Sequence, residues 1–211
     1  MPRNRQGTPR AHRVNEVVSA ANELFLTQGV SKTAMSHVAN AVGIANAAVY
    51  WYFPSKDDLL AEVFRRAVDE EVERLKDTTG DPFQTLIRGL VDLRPYRQIH
   101  MTIHDRMPES EALTEAHDRL IAWIRDTVIR GLEFHGRDPV ADADLVELTV
   151  VVFEGTHVPG VRGRAATEVI QTMIDRVIFQ PEANTAGRRE DAIELNPMGA
   201  ESEGARTRSP I

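Results

Sequence analysis

The stretch from Ser31 to Lys56, SKTAMSHVANAVGIANAAVYWYFPSK, constrains this chain more than any other. It reads as two short helices joined by a tight turn at Val42, Gly43 and Ile44, where glycine can turn without a Cβ penalty. The first helix is expected to start after Ser31, whose hydroxyl can cap the N–H groups of the first turn. Met35, Val38, Ala39 and Val42 then fall at helical spacing on its buried side. The second helix starts near Ala45 and is too small to fold alone. Its outward residues Asn46, Ala47, Ala48, Tyr50 and Tyr52 are small or able to hydrogen-bond, which suits a helix that lies deep in a DNA major groove. Phe53-Pro54 ends it, because a residue before proline is pushed out of the helical region, and Ser55 caps the helix that follows.

At these residues the sequence resembles the TetR-type bacterial transcriptional regulators. The matching pattern covers roughly residues 14 to 64. It begins with a long first helix ending Leu24-Phe25-Leu26-Thr27-Gln28-Gly29-Val30, followed by Thr33, Val38-Ala39 and Ala41-Val42-Gly43-Ile44. It closes with Ala48-Val49-Tyr50-Trp51-Tyr52-Phe53, Ser55-Lys56 and Leu59-Leu60. The resemblance implies that Tyr50, Tyr52 and Lys56 contact the DNA backbone while Trp51 and Phe53 brace the helix; a second orientation of Trp51, toward DNA, stays open. It also implies a dimer formed by a four-helix bundle of the last two long helices of each subunit. A two-fold dimer would match a palindromic operator, and an effector bound in the body would release the DNA.

A net charge of −7 looks wrong for a DNA-binding protein until it is divided along the chain. Residues 1 to 56 carry six Lys/Arg (Arg3, Arg5, Arg10, Arg13, Lys32, Lys56) against Glu16 and Glu23, about +4, which leaves about −11 for the rest. A basic head on an acidic body favours docking of one end on a polyanion. The absence of cysteine removes disulfides, thiolate metal sites and a cysteine nucleophile, and fits a reducing cytoplasm. With no run of about 18 apolar residues, a soluble protein is expected.

The remaining periodicity predicts an all-α chain of two domains. Residues 1 to 12 form a basic arm, read either as a disordered tail or as a segment whose arginines (with Arg13) touch phosphates or a minor groove. Residues 13 to 56 form the helix-turn-helix head, with a scaffold helix from about Val14 to Gln28. Residues 57 to 181 are expected to form a helical effector-binding and dimerisation body, and residues 182 to 211 a polar tail, disordered by composition. Within the body, helices are expected at about 56 to 76, 83 to 94, 96 to 106, 109 to 135, 142 to 157 and 164 to 179. The helix near 142 to 157 is apolar nearly all round, hence central or shared with a second subunit; its Val150 to Val152 run alone would also suit a strand.

Candidate DNA contacts are Thr33, Met35 and Ser36 at the start of the first short helix, where N–H groups and hydroxyls suit a phosphate, and Asn46, Ala47 and Ala48 opening the second. Asn46 can pair with N6 and N7 of adenine, and the alanine methyls with thymine methyls. With no Lys or Arg on that helix, readout of guanine is expected to be weak. In the body, Phe64, Leu86, Leu90, Met101, Ile103, Leu120, Trp123, Ile124 and Phe153 are candidates to line an effector cavity, with Tyr96, His100 or His104 as polar anchors; the same residues would equally make a closed core. His100 and His104 stand one helical turn apart with Asp105 next in line, a spacing compatible with a metal but equally with exposed histidines. No metal and no cofactor are expected. No nucleophile elbow or glycine-rich loop supports an enzyme. The expected partners are palindromic duplex DNA, a partly apolar small molecule and a second copy of the chain, against a rival in which the body only dimerises and no effector acts.

Overall fold

The computed structural model describes residues 10–155 and 166–178. Those residues are helical throughout, apart from turns: α1 Arg10–Gln28, α2 Met35–Val42, α3 Asn46–Tyr52, α4 Lys56–Leu75, α5 Pro82–Asp92, α6 Arg97–Arg106, α7 Glu111–Phe134, α8 Ala143–Gly155 and α9 Ala166–Ile178. Short 3₁₀ turns at Arg94–Tyr96 and Met107–Glu109 flank α6, each carrying a proline that cannot donate to a longer helix.

α1, α2 and α3 make the head. α1 begins at Arg10 rather than near Val14, so Arg10 and Arg13 belong to a helix and not to an arm; residues 1 to 9 of the expected arm lie outside the described residues. α2 starts at Met35, four residues beyond the expected cap at Ser31. Ala34 stands at its cap and has no side-chain oxygen, and the Ala34 N–H instead donates to His37 Nδ1 at 3.3 Å. The turn expected at Gly43 is present: its φ is 72°, and Ile44 N–H donates to the Ala39 carbonyl at 3.0 Å, closing α2 with a left-handed residue.

α4 starts as the Ser55 reading requires. Asp58 N–H donates to Ser55 Oγ at 3.1 Å and Ser55 N–H to Asp58 Oδ2 at 2.8 Å, a reciprocal cap. α4 packs on α1 at its head end and along α5, α6 and α7 further on, and α7 runs through the body against α4, α5, α6 and α8. One apolar core extends from Val17 in the head to Ile174 in α9. Three polar links tie helices across α4: Arg66 to Asn15 at 2.8 Å, Arg106 to Asp57 at 2.8 Å and Arg119 to Asp69 at 2.8 Å. Such exposed pairs are worth at most about 1 kcal/mol each, so they orient helices that the core holds together.

Two helical glycines let α5 and α7 approach their neighbours. A Cβ at Gly131 would meet the Phe83 ring at 2.6 Å, and one at Gly89 would meet the Trp123 ring at 2.5 Å. Phe83 and Trp123 are both buried, so neither ring can swing clear. Alanine improves helix propensity by about 1 kcal/mol, but overpacking costs about 1–3 kcal/mol. Gly131→Ala should therefore lower stability in thermal denaturation; a raised melting temperature would show that the α5–α7 contact has slack.

α8 is a helix through Val150–Val152, against the strand pattern of that run, because one side of it is buried against α7. The end expected for it at His157, and the whole tail from 182 to 211, lie outside the described residues. No helix among them is long and apolar enough to cross a membrane.

Candidate functional site

α3 is held from below and open above. Val49 is fully buried and Phe53, just past its end, is buried too, whereas Asn46 and Ala47 are exposed and Ala48 and Tyr52 half-exposed. Tyr50 is 46% and Trp51 66% exposed. Bracing is therefore carried by Phe53 and Val49. Trp51, for which packing was the other reading, stands in solvent with the Arg10 guanidinium 5.1 Å from its ring and Tyr52 edge-on at 4.8 Å. Arg10 thus sits beside the open face as part of α1, so the positive charge missing from α3 itself is supplied from the neighbouring helix.

The expected contacts at the start of α2 divide. Thr33 is buried and its hydroxyl donates to the Gly29 carbonyl at 2.9 Å, and the Met35 side chain is buried in the core, so both side chains are turned inward. Ser36 is half-exposed and remains available, together with the N–H groups of the first turn. Lys56 Nζ donates to the Val30 carbonyl, tying the start of α4 to the loop after α1. Burial first, and the Arg106 guanidinium second, pull its ammonium below the usual lysine value, with Asp57 opposing.

In the body, the apolar residues put forward for an effector cavity are mostly core. Phe64, Leu86, Leu90, Ile103, Leu120, Trp123, Ile124 and Phe153 are buried and packed together, with Tyr96 and Met101 half-buried. A cleft lies elsewhere, between α5, α7, α8 and α9, lined by Phe83, Val128, Leu132, Leu145, Thr149, Met173 and Ile174. None of the expected residues lines it. Their helical stripes face inward from every element, and one sequence cannot tell a stripe that meets a void from one that meets another stripe.

The polar anchors form a cluster of their own. His100 and His104 of α6, His117 of α7 and Glu154 of α8 bring their ligand atoms within 4.8 Å of one another. His104 Nε2 touches one Glu154 carboxylate oxygen, and His117 Nε2 lies 3.3 Å from the other. Burial on its own would raise the Glu154 carboxyl; the His117 hydrogen bond and the surrounding imidazoles outweigh it and hold that group at about 2. Burial likewise opposes the charged form of His117, and the Glu154 hydrogen bond overcomes it, so His117 is raised. Glu154 was not singled out in the sequence, where it stands 50 residues from His104 and 37 from His117. Only the fold joins them.

With this geometry in view, the comparisons bear on the head and on the whole chain separately. The family described as "Bacterial regulatory proteins, tetR family" matches residues 17–63, which is α1 through the first half of α4. The HTH-type transcriptional regulator AcrR of Shigella flexneri is 34% identical over 79 residues, 36% of this chain and 37% of that protein, so this match spans little more than a third of its length. The HTH-type transcriptional activator FasR of Mycolicibacterium smegmatis reaches into the body, 30% identical over 168 residues that cover 70% of this chain and 74% of that one. The chain belongs to the TetR family. A TetR transcription regulator of Haloarcula marismortui shares the fold, at a TM-score of 0.62 and 16% identity over 80% of this chain and 97% of its own.

The family is described as one of bacterial regulatory proteins, and the AcrR and FasR relatives are transcriptional regulators by name. Within this TetR-family head, the signals that misled were local ones. Ser31 looked like a cap and Thr33 like a surface hydroxyl, but the chain between Gly29 and Ala34 is a turn that folds Thr33 inward.

Proposed function

We propose that this TetR-family protein acts in the cytoplasm as a dimeric repressor, binding a palindromic operator through α3 and releasing it when a small molecule binds the body. The observation that carries the reading is α3 itself: a buried Val49 anchors it, while Asn46, Ala47, Tyr50 and Trp51 stand together in solvent. Such a face costs stability if nothing covers it, and it has the dimensions and chemistry of a major-groove reader. Asn46 would read adenine, the alanine methyls thymine, and Ser36, Tyr50, Tyr52, Arg10 and Lys56 would position the head on phosphates.

Dimerisation is supported by α8, whose Leu148 and Val151 lie one turn apart and are 48% and 62% exposed. These residues continue the apolar character of α8 onto its outer side, as expected where a second copy packs with α8 and α9. The candidate effector site is the apolar cleft between α5, α7, α8 and α9, which has room for about one water molecule as it stands and would have to widen to admit a partly apolar effector. α4 carries the signal, because its first residues touch the head and its length packs on the body. The head then comprises α1 to α3, from Arg10 rather than residue 13, and the body α4 to α9.

Selection of binding sites from random duplex DNA with the purified chain tests this reading. A palindrome with half-sites about one helical turn or a simple multiple apart is expected. Recovery of only salt-sensitive, sequence-free binding would instead favour an architectural protein. On the selected site, Lys56→Ala should weaken binding to all sequences alike and reduce the salt slope by about two, one phosphate contact from each subunit of the dimer. A loss confined to one base pair would count against its phosphate role.

A further inference from the structure

The cluster of His100, His104, His117 and Glu154 is more than packing requires. Three imidazoles and one carboxylate from three helices bring their ligand atoms together beside the buried apolar core. The His100 ring is stacked on His117 at 5.5 Å and has His104 edge-on at 5.2 Å. On its other side Phe64 stacks at 5.6 Å and Phe153 packs at 5.5 Å. His100 is 2% exposed, His117 is buried, and His104 and Glu154 are half-buried, so the cluster has an inner wall and an outer mouth. Asp118 Oδ1 lies 3.6 Å from His117 Nδ1, on the far side of the ring from Glu154, the position from which a carboxylate orients a ligating imidazole.

We propose that His100, His104, His117 and Glu154 bind one divalent transition-metal ion of the zinc class. The donor set decides the class: three imidazole nitrogens and one carboxylate oxygen suit Zn(II), Co(II) or Ni(II), whereas Mg(II) and Ca(II) sites are built from oxygens. Zinc–nitrogen bonds of about 2.0–2.1 Å place ligand atoms about 3.3 Å apart in a tetrahedron, so atoms within 4.8 Å of one another need small side-chain rotations and no movement of helices. The carboxylate that now bridges His104 and His117 would turn its oxygen to the ion, and its negative charge offsets part of the ion's.

The ion would clamp α6, α7 and α8 together. α6 also bears Arg106, paired with Asp57 in the first turn of α4 at 2.8 Å, and His100 leans on Phe64 of the same helix. Occupancy is thus two contacts away from the head. A change in DNA affinity on metal binding follows from this, and that part rests on the DNA-binding reading; the site itself does not.

The test uses the full chain freed of metal with a chelator, titrated with Co(II) and followed by its visible absorption, with Zn(II) added in competition. One Co(II) per chain in a tetrahedral or five-coordinate spectrum, displaced by Zn(II), is expected. His104→Ala and Glu154→Gln, both at the half-buried mouth, should lose about 100-fold or more in affinity while keeping their helical circular dichroism. His12→Ala, an exposed histidine in α1, should leave it unchanged. Absence of Co(II) binding, or equal binding by the His104 and Glu154 variants, overturns the site. Zn(II)-loaded and metal-free protein are then compared on selected DNA, with at least a fivefold difference expected. Equal affinity would overturn the regulatory role and leave the site standing, and absence of specific DNA binding in both forms would fault the DNA reading alone.

Discussion

Replacing Phe64 by alanine should remove about 3–5 kcal/mol of stability, a large share of the 5–15 kcal/mol that a domain of this size has. Phe64 is 1% exposed, lies on the side of α4 that faces α6, and stacks against His100. Truncation leaves a cavity where the link helix meets the body, and the surrounding helices are too constrained to fill it. Leucine at this position keeps most of the volume and should cost less than about 1.5 kcal/mol. For a chain of this length the alanine variant should melt roughly 6–20 °C lower. The measurement is chemical denaturation of both variants beside the parent; an alanine variant within 1 kcal/mol of the parent would mean that α4 is not packed as described.

The second large effect concerns recognition and leaves stability alone. Asn46 opens α3, is exposed, and is not its cap, which is Ala45. Asn46→Ala therefore removes no helix-stabilising bond, and unfolding should change by no more than about 0.5 kcal/mol. A bidentate contact between asparagine and adenine is worth about 1–3 kcal/mol of discrimination, and a two-fold dimer makes it twice. The loss on the full palindrome should then be about 2–6 kcal/mol, roughly 30-fold to 10⁴-fold. It should fall on one base pair in each half-site, while non-specific binding, governed by phosphates, stays put. Titration of the parent and the variant against a set of single-base-pair substitutions checks this. An equal loss on every sequence would place Asn46 on the backbone instead.

Much of the head was legible because its signals are short-range. The aromatic run, the Pro54 stop and the Ser55 cap each act within four residues, and α3 and α4 begin where they indicate. Exposure was harder to read. Nothing in the spacing of Tyr50, Trp51, Tyr52 and Phe53 says which aromatic turns inward; that depends on how α3 packs on α2 and the rest of the head. Thr33 shows the same limit in reverse, since a threonine in a turn is surface by habit, and here its hydroxyl is taken by Gly29. In the body the helices were visible and their partners were not. His100 and His104 had the right spacing, but His117 and Glu154 join them only through the packing of α6, α7 and α8. Likewise the residues placed around a cavity are buried ones, and burial is common to a cavity wall and a filled core.

The central claim is that α3 makes this chain a sequence-specific DNA-binding protein. Its most direct test is a competition titration at near-physiological salt between a selected palindrome and an equal length of unrelated duplex. Preference for the palindrome by at least about a thousandfold, with two chains bound per site, is the expected result. Equal affinity for both duplexes would contradict the claim, since phosphate contacts alone cannot tell them apart.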